Sequence, residues 1–77
     1  MKNKLISLLQ ELLIEIDRAN LIGIKLSIME NTAFLGHPKD FGEITNIMNA
    51  VNSYIESSND NTKANLEEVI KRINSKY

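Results

Sequence analysis

Apolar residues recur at intervals of three and four along the first part of the chain, beginning at Leu5. This spacing places them on one face of an amphipathic helix. A second apolar set, which includes Ile6, Leu13 and Ile14, widens that face beyond what one packing partner covers. The pattern predicts a long N-terminal helix that contacts neighbours on two sides.

The segment from Leu21 to Met29 fits two patterns. Its apolar residues alternate with polar ones, as in a half-buried strand, but Ile22, Leu26 and Met29 also continue the helical spacing. A lone strand in a helical chain has only a second copy to pair with, so we expect the helix to continue, with a kink near Gly23. The strand stays open as the alternative.

The connection at residues 31–42 holds two of the three glycines and Pro38, which disfavours a helical conformation in the residue before it. The N-terminal helix is therefore expected to end before this segment. A second helix is predicted to begin with Asp40 as its N-cap. Its apolar stripe runs from Ile44 to Ile55, with Tyr54 at the edge.

A polar turn at residues 57–61 separates this helix from a third one, because side chains of this type bond to their own backbone. The third helix is predicted to bury an apolar face that starts at Leu66 and ends at Tyr77. Glu68 and Arg72 are spaced to form an ion pair on its outer side. The two later helices thus form a C-terminal hairpin.

Length and composition favour a single all-α domain over residues 1–77, a small helical bundle completed by oligomerisation. A chain of 77 residues buries only a modest core. There are no cysteines for disulfides, and one histidine is too few for a structural zinc site. We therefore expect further copies of the chain to cover the apolar surplus of the first helix.

The charge balance argues against several classes of partner. A formal net charge of −1 provides no basic surface for a nucleic acid polymer or an anionic membrane. No apolar run is as long as a membrane span, and Gln10 and Glu11 interrupt the first one before it resembles a secretion signal. The sequence predicts a cytoplasmic protein of a bacterium or of a phage-infected host.

The candidate ligand-binding residues centre on the connection between the first two predicted helices. Phe41 offers an aromatic face to a planar ligand, while His37, Lys39 and the N–H groups at the start of the second helix suit a phosphate. The predicted set is Arg18, Lys25, His37, Lys39, Phe41 and Tyr54. The plain alternative is that the aromatic residues close the end of the bundle and the polar ones are solvated.

Catalysis, a metal site and a cofactor are not predicted. His37 is the one histidine, and no recognisable nucleophile motif accompanies it. The polar side of the second predicted helix carries uncharged groups, Asn46, Asn49, Asn52 and Ser53. These groups suit base edges or a partner's backbone, although AT-rich codon usage would also raise the asparagine content.

The chain resembles a family of phage proteins over its last half. The dipeptide His37-Pro38, the helix and polar turn that follow, and the segment Ala64–Ile70 resemble the helical hairpin of the anti-CBASS and anti-Thoeris sponges. In that family a His-Pro segment precedes one helix and a Leu-Glu-Glu stretch lies in the next; the separation between the two motifs is shorter here. The resemblance implies an oligomer that encloses a cyclic di- or trinucleotide without cleaving it.

Two classes of function follow from these observations. The first is a non-catalytic oligomeric binding protein, a phage immune-evasion sponge that sequesters a cyclic nucleotide signal at subunit interfaces. The second is a small protein-binding regulator of the immunity-protein, antitoxin or kinase-inhibitor type, which presents its surplus apolar face to a partner.

Overall fold

The computed structural model describes residues 2–32 and 41–77, and these residues form four α-helices. The helices are α1 (Lys2–Ile14), α2 (Arg18–Asn31), α3 (Phe41–Glu56) and α4 (Asp60–Lys76). The all-α prediction is confirmed for this part of the chain, and the ambiguous segment lies inside α2 as a helix. None of the described helices is long and apolar enough to cross a membrane.

The N-terminal part of the chain contains two helices, so the prediction of one long helix kinked near Gly23 is wrong. α1 ends at Ile14 and α2 begins at Arg18. Asp17 caps α2, because its Oδ1 accepts a hydrogen bond of 2.9 Å from the Ala19 N–H while its own backbone is extended. This bond satisfies one of the N–H groups that a helix leaves without a partner at its start.

Glu15 stabilises the turn between α1 and α2. Its Oε1 accepts hydrogen bonds from the backbone N–H groups of Ile16, at 3.1 Å, and Asp17, at 3.0 Å. The turn exposes the apolar residues that the sequence places at the end of the first helix, since Ile14 is 80% and Ile16 is 96% exposed. α2 then packs against α1.

Each helix packs mainly against two neighbours. α1 contacts α2 and α4, and α3 also contacts α2 and α4. All four helices contribute to one core, whose fully buried large side chains are Leu5, Leu9, Leu12, Ile28, Ile47, Val51, Leu66 and Ile73. Tyr54 is buried as well, rather than lying at the edge of its helix.

A polar connection between α3 and α4 is confirmed at residues 57–59, with Asn59 as the N-cap of α4, whereas Asp60 and Asn61 of the predicted turn already belong to α4. The Asn59 Oδ1 accepts hydrogen bonds from the N–H groups of Asn61 and Thr62 at 2.9 and 3.0 Å. The Thr62 Oγ1 in turn accepts a bond of 2.9 Å from the Asn59 N–H. This reciprocal capping box fixes where α4 begins.

α2 exposes an apolar stripe on its outer side. Its inner face contributes Leu21, Ile24 and Ile28 to the core. Ile22, Leu26 and Met29, which we call the α2 stripe, are 52, 55 and 49% exposed. The sequence therefore predicts correctly that the N-terminal part carries more apolar surface than the chain buries.

Candidate functional site

A partly buried ion pair joins the start of α3 to the end of α4. Glu43, in the first turn of α3, is only 8% exposed, and its Oε1 accepts a hydrogen bond of 2.9 Å from the Arg72 Nε. The Lys76 Nζ lies 4.0 Å from the other carboxylate oxygen. α3 and α4 are therefore antiparallel. The helical spacing predicts that Arg72 pairs with Glu68, but in the structure Arg72 pairs with Glu43.

A polar groove runs between α3 and α4 above this ion pair, and we call it the α3–α4 groove. Its volume is about 350 Å³. Ala50 and Val69, both nearly inaccessible, form its apolar base. The polar residues that line it are Asn46, Asn49 and Ser53 from α3 and Asn65, Glu68 and Arg72 from α4. Its size falls within the range of small-molecule sites, about 300 to 1,000 Å³.

Four side chains of the α3–α4 groove are exposed to solvent and have no hydrogen-bond partner among the described residues: Asn46, Asn49, Ser53 and Asn65. Each asparagine amide offers two N–H donors and one carbonyl acceptor. The Arg72 guanidinium differs from them, because the buried carboxylate of Glu43 fixes its Nε. The groove therefore offers a ligand several uncharged polar contacts and one oriented cation.

The structure separates the sequence-predicted site residues that it describes. Arg18 and Lys25 lie two turns apart on α2, where Arg18 is exposed and Lys25 is partly exposed. Phe41 is the first residue of α3 and is 55% exposed. Tyr54 lies thirteen residues further along the same helix, about 20 Å away at 1.5 Å per residue. A small ligand cannot contact Phe41 and Tyr54 of one copy together.

The Tyr54 hydroxyl has a structural contact, because it donates a hydrogen bond of 3.3 Å to the carbonyl oxygen of Leu13 near the end of α1. Tyr54 also lines a smaller groove, of about 200 Å³, beside the α3–α4 turn. His37 and Lys39 lie outside the described residues. The roles predicted for all six residues stay predictions.

The sequence indicates the α3 wall of the α3–α4 groove but not the α4 wall. The spacing of Asn46, Asn49 and Ser53 marks one side of α3 as uncharged. Asn65 and Arg72 lie on α4, and only the antiparallel packing of the two helices places them opposite that side. A buried position for Glu43 would have signalled the need for a cation, but its burial is not visible in the sequence.

A second groove, of about 400 Å³, lies between α1 and α2. It is bordered by the carboxylates of Glu11 and Glu15 and by the small residues Ala19, Gly23 and Ser27. The described residues contain no group of three or more histidine, cysteine, aspartate or glutamate side chains arranged to hold a metal ion. Comparison of the chain with protein-family models, with curated proteins and with solved structures finds no match.

Proposed function

We propose that the protein is a non-catalytic binding protein that works as a homo-oligomer and holds a cyclic nucleotide in the α3–α4 groove. The observation that carries the proposal is the set of amide side chains in this groove that bond to nothing else in the described chain. An asparagine amide presents a donor and an acceptor side by side, which matches the edge of a base such as adenine. The apolar base of the groove suits the face of a planar heterocycle.

The charges in and beside the groove favour a ligand that carries little charge. Arg72 and Lys76 supply two cations, while Glu43 and Glu68 supply two carboxylates. A triphosphate would meet no excess of positive charge here, whereas one phosphodiester needs only the oriented guanidinium of Arg72. A cyclic nucleotide has one such charge per base. The resemblance to the phage sponges supports the same ligand class and suggests sequestration as its purpose.

The test is a titration followed by heteronuclear NMR, in which the side-chain amide signals of Asn46, Asn49 and Asn65 report on the groove directly. The probes are adenosine, guanosine, cytidine, uridine, cyclic AMP and cyclic di-AMP. We expect saturable shifts of these three amide signals with at least one probe. Unchanged side-chain amide signals at millimolar concentrations of all six probes would refute the proposal.

Matched alanine variants show whether the shifts arise in the groove. Asn49→Ala removes an amide that lines the groove. Asn74→Ala is the control, because it removes an exposed amide of α4 that does not line the groove. Alanine has the higher helix propensity at both positions, so neither change is expected to unfold the bundle. Binding should weaken in Asn49→Ala and persist in Asn74→Ala; equal effects of the two variants would argue against the groove.

The α2 stripe favours a second candidate, a protein-binding regulator. Three neighbouring apolar side chains that are about half exposed suit the apolar face of a partner helix. In this case the purified chain stays monomeric, and none of the nucleotide probes moves the groove signals. A stable homo-oligomer would argue against this candidate, because the chain would then cover its own stripe.

A further inference from the structure

The α2 stripe has the spacing of a coiled-coil seam. Together with Ala19, which precedes it, the stripe repeats at intervals of three, four and three residues: Ala19, Ile22, Leu26, Met29. Such a repeat places all four side chains along one line that faces a partner helix. All four positions are exposed in the isolated chain. Ile22, Leu26 and Met29 lie on the side of α2 away from its core residues, and Ala19 also borders the groove between α1 and α2.

Charged residues border this seam on both sides. In the usual notation for a heptad repeat, Arg18 and Lys25 occupy the flank that precedes the seam, and Gly23 and Glu30 occupy the flank that follows it. Neither Lys25 nor Glu30 forms an ion pair within the described residues. Within residues 2–32 and 41–77, one flank of the seam therefore carries unpaired positive charge, and the other carries an unpaired carboxylate.

We propose that a second copy of this chain covers the α2 stripe, with the two α2 helices parallel and related by a twofold axis along them. In a parallel pair, each preceding flank lies against the following flank of the partner. Lys25 of one copy then pairs with Glu30 of the other, and the symmetry forms this pair twice. In an antiparallel pair the preceding flanks meet each other, which would bring Arg18 and Lys25 of the two copies together.

Gly23 is compatible with this contact. A Cβ added at Gly23 would meet no heavy atom within 4 Å, so the position is open to an approaching helix. In the parallel arrangement Gly23 faces Arg18 of the second copy, which leaves the long arginine side chain unobstructed. The inference rests on the homo-oligomer in the proposed function and specifies which helix forms its contact.

Charge reversal tests the pairing, measured as the self-association constant by sedimentation equilibrium. Lys25→Glu should weaken association at least about tenfold, because both symmetric pairs become repulsive. Adding Glu30→Lys to it should restore association to near the native value. Arg18→Glu separates the two orientations: it should change association by less than about threefold in the parallel pair, and should strengthen it in an antiparallel one.

A charge within the seam provides the second measurement. Leu26→Lys should give a folded monomer, because Leu26 is exposed in the single chain. The matched control is Ala64→Lys, at an exposed position of α4, which should leave association unchanged. Circular dichroism checks that both variants remain helical. A native chain that is monomeric at high micromolar concentration, or an oligomer indifferent to charge at positions 25 and 30, would overturn the inference.

The nucleoside titration keeps the two proposals apart. The α3–α4 groove is formed within one chain, so its asparagine signals should still respond in the monomeric Leu26→Lys variant. A variant that stays monomeric and still binds supports the groove whatever covers α2. If self-association depends on Lys25 and Glu30 but no probe binds, the α2 contact is supported and the proposal of a nucleotide ligand is refuted.

Discussion

Removing the guanidinium of Arg72 should destabilise the bundle measurably. Arg72→Met keeps much of the aliphatic stem and leaves the buried carboxylate of Glu43 with the amine of Lys76, 4.0 Å away, as its remaining cation among the residues that the structure describes. A hydrogen bond to a charged group contributes about 1.5 to 3 kcal/mol. Because the Arg72 side chain is 41% exposed and partly screened, we expect the lower end, about 1.5 kcal/mol.

The measurement is urea unfolding followed by far-ultraviolet circular dichroism, which suits a helical chain that contains no tryptophan. The expected loss corresponds to a fall in the midpoint of thermal unfolding of about 6 to 12 °C for a domain of this size. Lys71→Met is the matched control, since Lys71 is exposed on the same helix and forms no ion pair within the described residues. Its effect should stay within about 0.5 kcal/mol.

A double-mutant cycle with Glu43→Gln isolates the pair itself. The coupling energy between positions 43 and 72 should be about 1 kcal/mol, and it should largely persist in about 1 M salt because the carboxylate is buried. If the urea midpoint of Arg72→Met equals that of the native chain, or if the coupling energy vanishes in about 1 M salt, the Glu43–Arg72 pair is an ordinary surface ion pair. The guanidinium would then lack the fixed position that the α3–α4 groove requires.

Three further changes test the local structure by the same unfolding measurement. Gly23→Ala should stabilise the chain by about 0.5 to 1 kcal/mol, because Gly23 is inside α2 and the added Cβ meets open space; a loss would mean that the position is not open. Asn59→Ala should cost about 1 kcal/mol through the lost capping box, and unchanged stability would contradict the cap. Tyr54→Phe should cost about 0.5 kcal/mol, because its hydrogen bond to Leu13 is long; a much larger cost would show that this bond matters more than its length suggests.

The helix break at residues 15–17 shows where periodicity fails as a guide. The apolar spacing continues across Ile16 as though the helix did not end. The local signal against it is Asp17, a residue type that favours the N-cap position. A cap contributes about 1 kcal/mol, while folding α2 back against α1 buries several apolar side chains, so tertiary packing decides the outcome.

The ion pair of Arg72 shows the same limit in electrostatics. The sequence displays Glu68 one turn away and therefore predicts a pair within α4. Glu43 is separated from Arg72 by 29 positions, yet it is the carboxylate that the fold buries. A buried carboxylate has far more to lose without a cation than an exposed one, so it takes the guanidinium. The helical character of α3 and α4 and the turn before Asn59, which depend on nearby residues, were predictable.

The location of the groove changes what the binding stoichiometry would mean. A pocket shared between copies, as the sequence suggests, holds one ligand per contact if it lies on a twofold axis, and in every case it disappears when the oligomer dissociates. The α3–α4 groove takes its lining from two helices of the same chain, so each copy would hold its own ligand. Oligomerisation through α2 would then serve to cover the apolar stripe rather than to build the site. One ligand per chain, retained in a monomeric variant, follows from this arrangement, and a shared pocket cannot produce it.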